Sequence, residues 1–306
     1  MTRGIAAACV LVLAAAGAAP RPQPAPSPAG DLVELDVVAL DRDDRPVTDL
    51  RQHEFAIKED GRAVDVTTLS TVTALGSTRP DDGRVVTLLM DDIGVGIGGT
   101  SPMRAIAPVM LAPSGPGDEL AVVRLSSRSD EPFGDLGTAR ERIAGYSGGV
   151  VPLSRSDTPE AVLKAVAAIS RQLEPLGRRR KVILCLGLPS VCDVGEPSSM
   201  RATNSLIAAW VGALGAAARA NVAVYCVDPT GVSGGMTSFG NGLVRLTGGE
   251  VFAHANAFAP AAEAIWREAG HYYLLGYWPV ASTRDLRSID VKVARKGVHV
   301  RARQRR

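Results

Sequence analysis

Excess charge of either sign is missing from this chain: 34 Lys and Arg stand against 32 Asp and Glu, a formal net charge of +2. A nucleic-acid or membrane-surface partner therefore has no electrostatic footing. Long hydrophobic runs are missing too. Beyond the first residues nothing approaches the roughly 20 consecutive apolar residues of a transmembrane helix, so the mature chain is expected to carry no membrane span. Histidine is scarce, and His53, His254, His271 and His299 fall mostly in β segments or late loops. Cysteine is scarcer still once Cys9 is set aside with the leader: the spacings of Cys185, Cys192 and Cys226 match no zinc pattern.

What is present is ordinary globular content. With 306 residues, 46% of them apolar and 22% charged, the chain can bury a full core and has room for roughly two domains. The 32 glycines suggest closely packed elements joined by tight turns.

The chain opens with a targeting signal. Arg3 gives a basic start, Ile5 to Ala16 an apolar core, and Ala16-Gly17-Ala18 a small-residue cleavage site. That core is too short to span a bilayer. Residues 1–18 therefore read as a signal peptide, with a retained membrane anchor as the alternative, and the mature protein as exported to the periplasm, the cell surface or the medium. Cys9 lies too close to the start for lipid attachment. In an oxidising compartment three cysteines leave one thiol free or paired outside the chain. Cys185 and Cys226, inside buried-looking strands, read as small hydrophobes; Cys192, in a loop, could pair with either.

Five prolines between Pro20 and Pro28 make residues 19–30 an extended linker. Residues 31–78 then show only β signals. Leu32, Leu35, Val37 and Val38 mark one strand, Asp43-Asp44-Arg45-Pro46 a turn, and Glu59-Asp60-Gly61-Arg62 a hairpin. From Arg84 strands and helices alternate, with strands at 84–91, 119–125, 181–186, 221–227 and 250–253. A helix capped by Thr158-Pro159 carries Val162, Val166, Ile169 and Leu173 on one face, and a second ends at Asn221. This alternation predicts an α/β domain over 84–270 with a doubly wound, mostly parallel, Rossmann-like sheet. Residues 271–304 revert to β. Neither terminal β segment makes a stable sheet alone, so 271–304 should pair or pack with 31–78 to form one β domain.

Val85-Val86-Thr87-Leu88-Leu89-Met90 is the first central strand, and it runs directly into Asp91-Asp92 and a glycine-rich loop. The carboxyl edge of an open α/β sheet is where ligands bind. Asp91, Asp92, Gly94, Gly96, Thr158 and Asp228 are accordingly the candidate ligand-binding edge.

The motif order resembles exported bacterial proteins with a von Willebrand factor A-type domain, particularly the A-related family abundant in acidobacteria. The carriers are Asp43 to Leu50 with Phe55 to Gly61, then Val224-Tyr225-Cys226-Val227-Asp228-Pro229-Thr230-Gly231, Leu246-Thr247-Gly248-Gly249 and Tyr272-Tyr273-Leu274-Leu275-Gly276-Tyr277. The resemblance spans most of the mature chain and implies binding of a protein ligand. In many A-type domains an Asp-x-Ser-x-Ser motif, a loop threonine and an aspartate after the fourth strand hold a divalent cation. Counted from Asp91, the serine positions hold Ile93 and Val95; counted from Asp92, Gly94 and Gly96. The fourth strand ends Cys185-Leu186-Gly187-Leu188, and Asp193 comes late. A magnesium ion would have Asp91, Asp92 and Thr158, and Thr158 is already explained as a helix cap. The expectation is a degenerate metal-ion-dependent adhesion site and no cofactor.

Three further motifs compete. Gly94-x-Gly96-x-x-Gly99 matches the dinucleotide fingerprint, but Asp91 and Asp92 would face a pyrophosphate and no acid ends the second strand, which runs into Ser126 and Ser127. Gly231-Val232-Ser233-Gly234-Gly235 matches a nucleophile elbow, but Pro229 and Thr230 separate it from its strand. Arg178-Arg179-Arg180-Lys181 suits a solvated helix end. The reading is a non-enzymatic adhesion module; the alternatives are a nucleotide-binding or hydrolytic enzyme at the Asp91 edge, and a structural scaffold of the envelope.

Overall fold

The computed structural model describes residues 31–73, 83–127, 133–149, 158–177, 180–197, 202–230, 242–252, 258–280 and 286–305. The expected signal peptide and linker, His254, Arg178, Arg179 and the Gly231–Gly235 string lie outside them.

The central element is a five-stranded, all-parallel sheet: β5 (Val85–Met90), β6 (Glu119–Arg124), β7 (Lys181–Leu186), β8 (Val222–Val227) and β9 (Val251–Phe252), in the order β6-β5-β7-β8-β9. Every residue of β5, β7 and β8 is buried, as a sheet covered on both faces requires. One face carries α3 (Thr158–Leu173) and α5 (Asn204–Ala220), with Val162, Val166, Trp210 and Leu214 against Leu89 and Ile183. The other carries α1 (Thr100–Leu111), α2 (Leu136–Ala144) and α7 (Phe258–Gly270), with Met103, Met110, Ile143 and Trp266 against Leu88 and Leu184. The sheet is therefore doubly wound, an α/β Rossmann-like arrangement, and wholly parallel where a mostly parallel one was expected.

The remaining strands form two antiparallel sheets. One orders as β12-β1-β10-β4, from His299–Ala302, Val33–Leu40, His271–Tyr277 and Val66–Thr73; the other as β11-β2-β3, from Ile289–Val293, Phe55–Glu59 and Arg62–Val64. Each mixes strands from both ends of the chain: Leu35 pairs Leu275, and Ile57 pairs Val291. Leu35, Val37, Phe55, Ile57, Tyr273 and Tyr277 fill the space between them. Asp60 and Gly61 turn the β2-β3 hairpin at positive φ, 49° and 79°, the conformation that Asp-Gly favours.

Three local readings need correction. Arg180 and Lys181 do not form a solvated helix end: both are buried, Lys181 as the first residue of β7. Thr158 is the first residue of α3 rather than the cap before it. Cys185 is not a free small hydrophobe: it is bonded to Cys192, which lies on the short helix α4 (Pro189–Cys192) rather than in a loop, while Cys226 stays a buried thiol.

Candidate functional site

The chain passes from β5 to β6 on one side and returns to β7 on the other, so strand order reverses beside β5, and a crevice opens at the carboxyl ends at such a point. Asp91 leaves β5 there, tied down by its N–H to Leu186 O of β7 at 3.0 Å. Its side chain is fully buried. Oδ1 accepts the N–H groups of Ile93 and Gly94, at 3.1 and 2.6 Å, and so caps the turn that starts the glycine-rich loop. Oδ2 is buried without a hydrogen-bond partner among the described residues. Burial holds the Asp91 carboxyl above the usual carboxylate range, helped by the charge of Asp92 and opposed by the Gly94, Ile93 and Leu188 N–H groups.

Asp92 is engaged differently. Its carboxylate accepts the Ser126 N–H at 2.9 Å and the Ser126 hydroxyl, and its carbonyl accepts the Gly149 N–H at 2.7 Å. Tyr146 donates its buried hydroxyl to the Asp91 carbonyl at 2.7 Å, and burial, with the two aspartates, pushes that phenol upward. The glycine loop and residues 146–149 pack on each other. Gly96 bridges Gly149, Gly148 N–H donates to Thr100 Oγ1, and a Cβ on Gly148 would meet Gly96 O at 2.4 Å. Ser126 and Tyr146 went unmarked in the sequence. Ser126 appeared only as the residue where β6 ends, and nothing in the pattern singles out Tyr146.

Of the expected edge residues, Asp91, Asp92, Gly94 and Gly96 share one loop. Asp228 lies two strands away at the end of β8, roughly 10 Å across the sheet, fully buried, with Oδ1 accepting from the Thr230 N–H and hydroxyl at 2.8 and 2.6 Å. Thr158 is buried at the start of α3. Asp193 is closer to this edge than its sequence position suggested: fully buried, it accepts the Val244 N–H at 3.1 Å. Cys226 lies among these acids. Burial first, then the charges of Asp193, Asp228 and Asp91, push its thiol well up. Gly187 separates Asp91 from the disulfide, since a Cβ there would meet Asp91 Cβ at 2.5 Å and Cys192 Sγ at 3.0 Å.

The carboxylate oxygens at this edge are already largely engaged. One oxygen of Asp91 and both of Asp92 are committed to the protein, and no group of three His, Cys, Asp or Glu able to hold a metal occurs among the described residues. A hard cation needs several oxygens in defined geometry. What the edge offers solvent is the loop itself: Gly94, Gly96 and Gly98 are exposed, and Ile97 projects with 57% of its surface accessible.

No family model and no curated protein matches the chain. Among solved structures it is similar to a mutant of the PilB minor pilin from Streptococcus sanguinis, at 12% identity and a TM-score of 0.35, covering 61% of this chain and 62% of the pilin chain. It is also similar to the N-terminal domain of TFIIH p34, at 12% identity and a TM-score of 0.27, covering 63% of this chain and 91% of that domain. The chain thus spans about 62% of the length of the pilin it matches.

Proposed function

We propose that this protein is an exported, non-enzymatic binding module that presents the Asp91–Gly99 loop to a protein ligand, with a degenerate metal-ion-dependent adhesion site beneath it. The A-type resemblance of the motif order supplies the class. The observation that carries the reading is the division of labour at the edge: the carboxylates are turned inward as turn caps and strand ties, while an isoleucine faces outward. An exposed large apolar side chain on a loop held from below suits contact with another protein. A hydrolytic or nucleotide-dependent activity needs a second polar group converging on Asp91, and the described neighbours, Asp92 and Tyr146, are already hydrogen-bonded to Ser126 and to the Asp91 carbonyl. Export is supported by the leader and by the Cys185–Cys192 bond.

The test is an affinity pulldown from the native envelope fraction with the wild-type chain and with Ile97→Asp, each with and without chelator. The wild type is expected to retain a protein that Ile97→Asp loses and that chelator does not release. Millimolar magnesium or manganese should leave the melting temperature of the free protein almost unchanged, because ligand binding to the folded state alone would raise it. Release by chelator, or a metal-induced rise abolished by Asp91→Ala, would overturn the degenerate-site reading.

A further inference from the structure

A second surface lies away from the Asp91 edge. The segment from Val244 to Val251 and the strands β11 and β12 enclose a cavity of about 590 Å³, within the range of about 300–1,000 Å³ in which ligand sites fall. Two features of its wall point to the same kind of occupant.

The first is strand-edge backbone, at Val251, with no hydrogen-bond partner on its outer side among the described residues. β9 ends the parallel sheet and borders the cavity; β12 ends its own sheet, but the backbone that follows it is bonded to Ile289 and Leu246. The carbonyls of Glu250 and Phe252 accept from the N–H groups of Cys226 and Asp228 on β8. Peptide groups alternate in direction along a strand, so the N–H and C=O of Val251 point away from β8. An unpaired edge of this kind is a template for an added strand.

The second is charge. Four arginines, Arg245, Arg301, Arg303 and Arg305, line the cavity against two acids, Glu250 and Asp290. Arg301 is taken up by Glu268 and by Glu250 at 3.1 Å, and Arg303 donates to the carbonyls of Ala218 and Glu34 and to Asn221 Oδ1. Arg245 is exposed and Arg305 half-buried, and neither is paired with a carboxylate among the described residues. Between these cations the wall also carries Val251, Val291, Val300 and Ala302, partly buried against the cores behind them, beside the polar His299 and Gln304.

We propose that this groove binds an acidic segment of a partner protein in extended conformation, added as a strand along the β9 edge with its carboxylates on Arg245 and Arg305. Main-chain hydrogen bonds supply the affinity and the alternating side chains the specificity. A compact anion would engage the arginines and leave the apolar side chains of the wall and the strand edge unused. An extended peptide alternating acidic and apolar residues uses all three.

The probe is a fluorescein-labelled peptide of alternating Glu and Val, titrated against the mature protein by fluorescence anisotropy. Controls are the same peptide with Lys for Glu, and one N-methylated at alternate residues so that it lacks strand donors. The Glu-Val peptide is expected to bind. Both controls should bind at least about tenfold more weakly, and Arg245→Glu with Arg305→Glu should weaken the Glu-Val peptide about tenfold. Affinity should fall from low to high salt, a readout that needs no variant. Ile97→Asp should leave this binding unchanged, which separates it from the function proposed for the Asp91 edge. Equal binding of the Lys peptide, indifference to N-methylation, or absence of any titration by the Glu-Val peptide would overturn the proposal.

Discussion

Asp91 combines two opposing demands. Its Oδ1 is required by two N–H groups of the loop, yet the group is buried where charge is poorly solvated, and the net result is a carboxyl whose pKa lies above its ordinary value. A raised folded-state pKa means that the folded protein binds this proton more tightly than the unfolded chain does. The contribution to stability is therefore fully present below the unfolded value and is lost as pH rises through the folded one. Asp91→Asn keeps an oxygen for Ile93 and Gly94 and removes the charge. Its melting temperature, relative to wild type, is expected to climb as the pH is raised from about 4, the ordinary aspartate value, into the neutral range. A difference that stays flat over that range would mean that the site does not penalise the ionised carboxylate. The acid pair itself was legible in the sequence, because it ends a continuous apolar strand. Its partners were not. Ser126 reaches Asp92 only through the register that sets Met90 beside Arg124, and register between strands separated by a helix is not written in either strand alone.

Glycines serve unlike purposes in different elements. In the loop after β5, a Cβ added at Gly96 would meet nothing within 4 Å, and φ there is −68°. The turn between α6 (Leu243–Leu246) and β9 is the opposite case. Gly248 has φ +88° and lies against the backbone of Ala302 and Arg303, while a Cβ at Gly249 would fall 1.9 Å from Val224 O. Gly96→Ala is expected to be neutral or to stabilise by up to about 1 kcal/mol, through a less flexible unfolded chain. Gly249→Ala should cost about 1–3 kcal/mol by forcing β8 and the turn apart. Urea denaturation of the two variants measures both. Equal effects would mean that the turn does not hold β9 against β8 as described. The same contrast shows what sequence reading can reach. Lys181–Leu186 was readable to the residue, and Asn221 stops α5 at φ 55° as anticipated. By contrast α2, with only Ala139 and Ile143 buried, has too thin an apolar stripe to stand out. The close approach at Gly249 depends on where β8 runs.

At the scale of the molecule, the antiparallel sheets are fastened to the parallel one by buried polar ties. Arg180, at the entry to β7, reaches Asp36 on β1 at 2.7 Å with both side chains almost wholly buried, and its guanidinium lies over the Tyr272 ring at 5.3 Å. Arg303 spans from Glu34 O to Ala218 O and Asn221, and the Gln304 N–H donates to Leu246 O. The Asp36–Arg180 pair is the most exacting of these, since it joins a strand near the start of the folded chain to the central sheet. Removing one partner of a buried pair leaves an uncompensated charge, which costs about 3–5 kcal/mol, whereas replacing both with apolar residues of similar volume is often close to neutral. Asp36→Ala is therefore expected to lose about 3–5 kcal/mol in guanidinium denaturation, and Asp36→Leu combined with Arg180→Met much less. If the ties make one cooperative unit, tyrosine and tryptophan fluorescence and far-UV circular dichroism will report a single coincident transition in the wild type. The Asp36→Ala curve should shift as a whole. Two separated transitions, with only the first displaced by Asp36→Ala, would mean that the antiparallel sheets unfold independently of the sheet that carries Asp91.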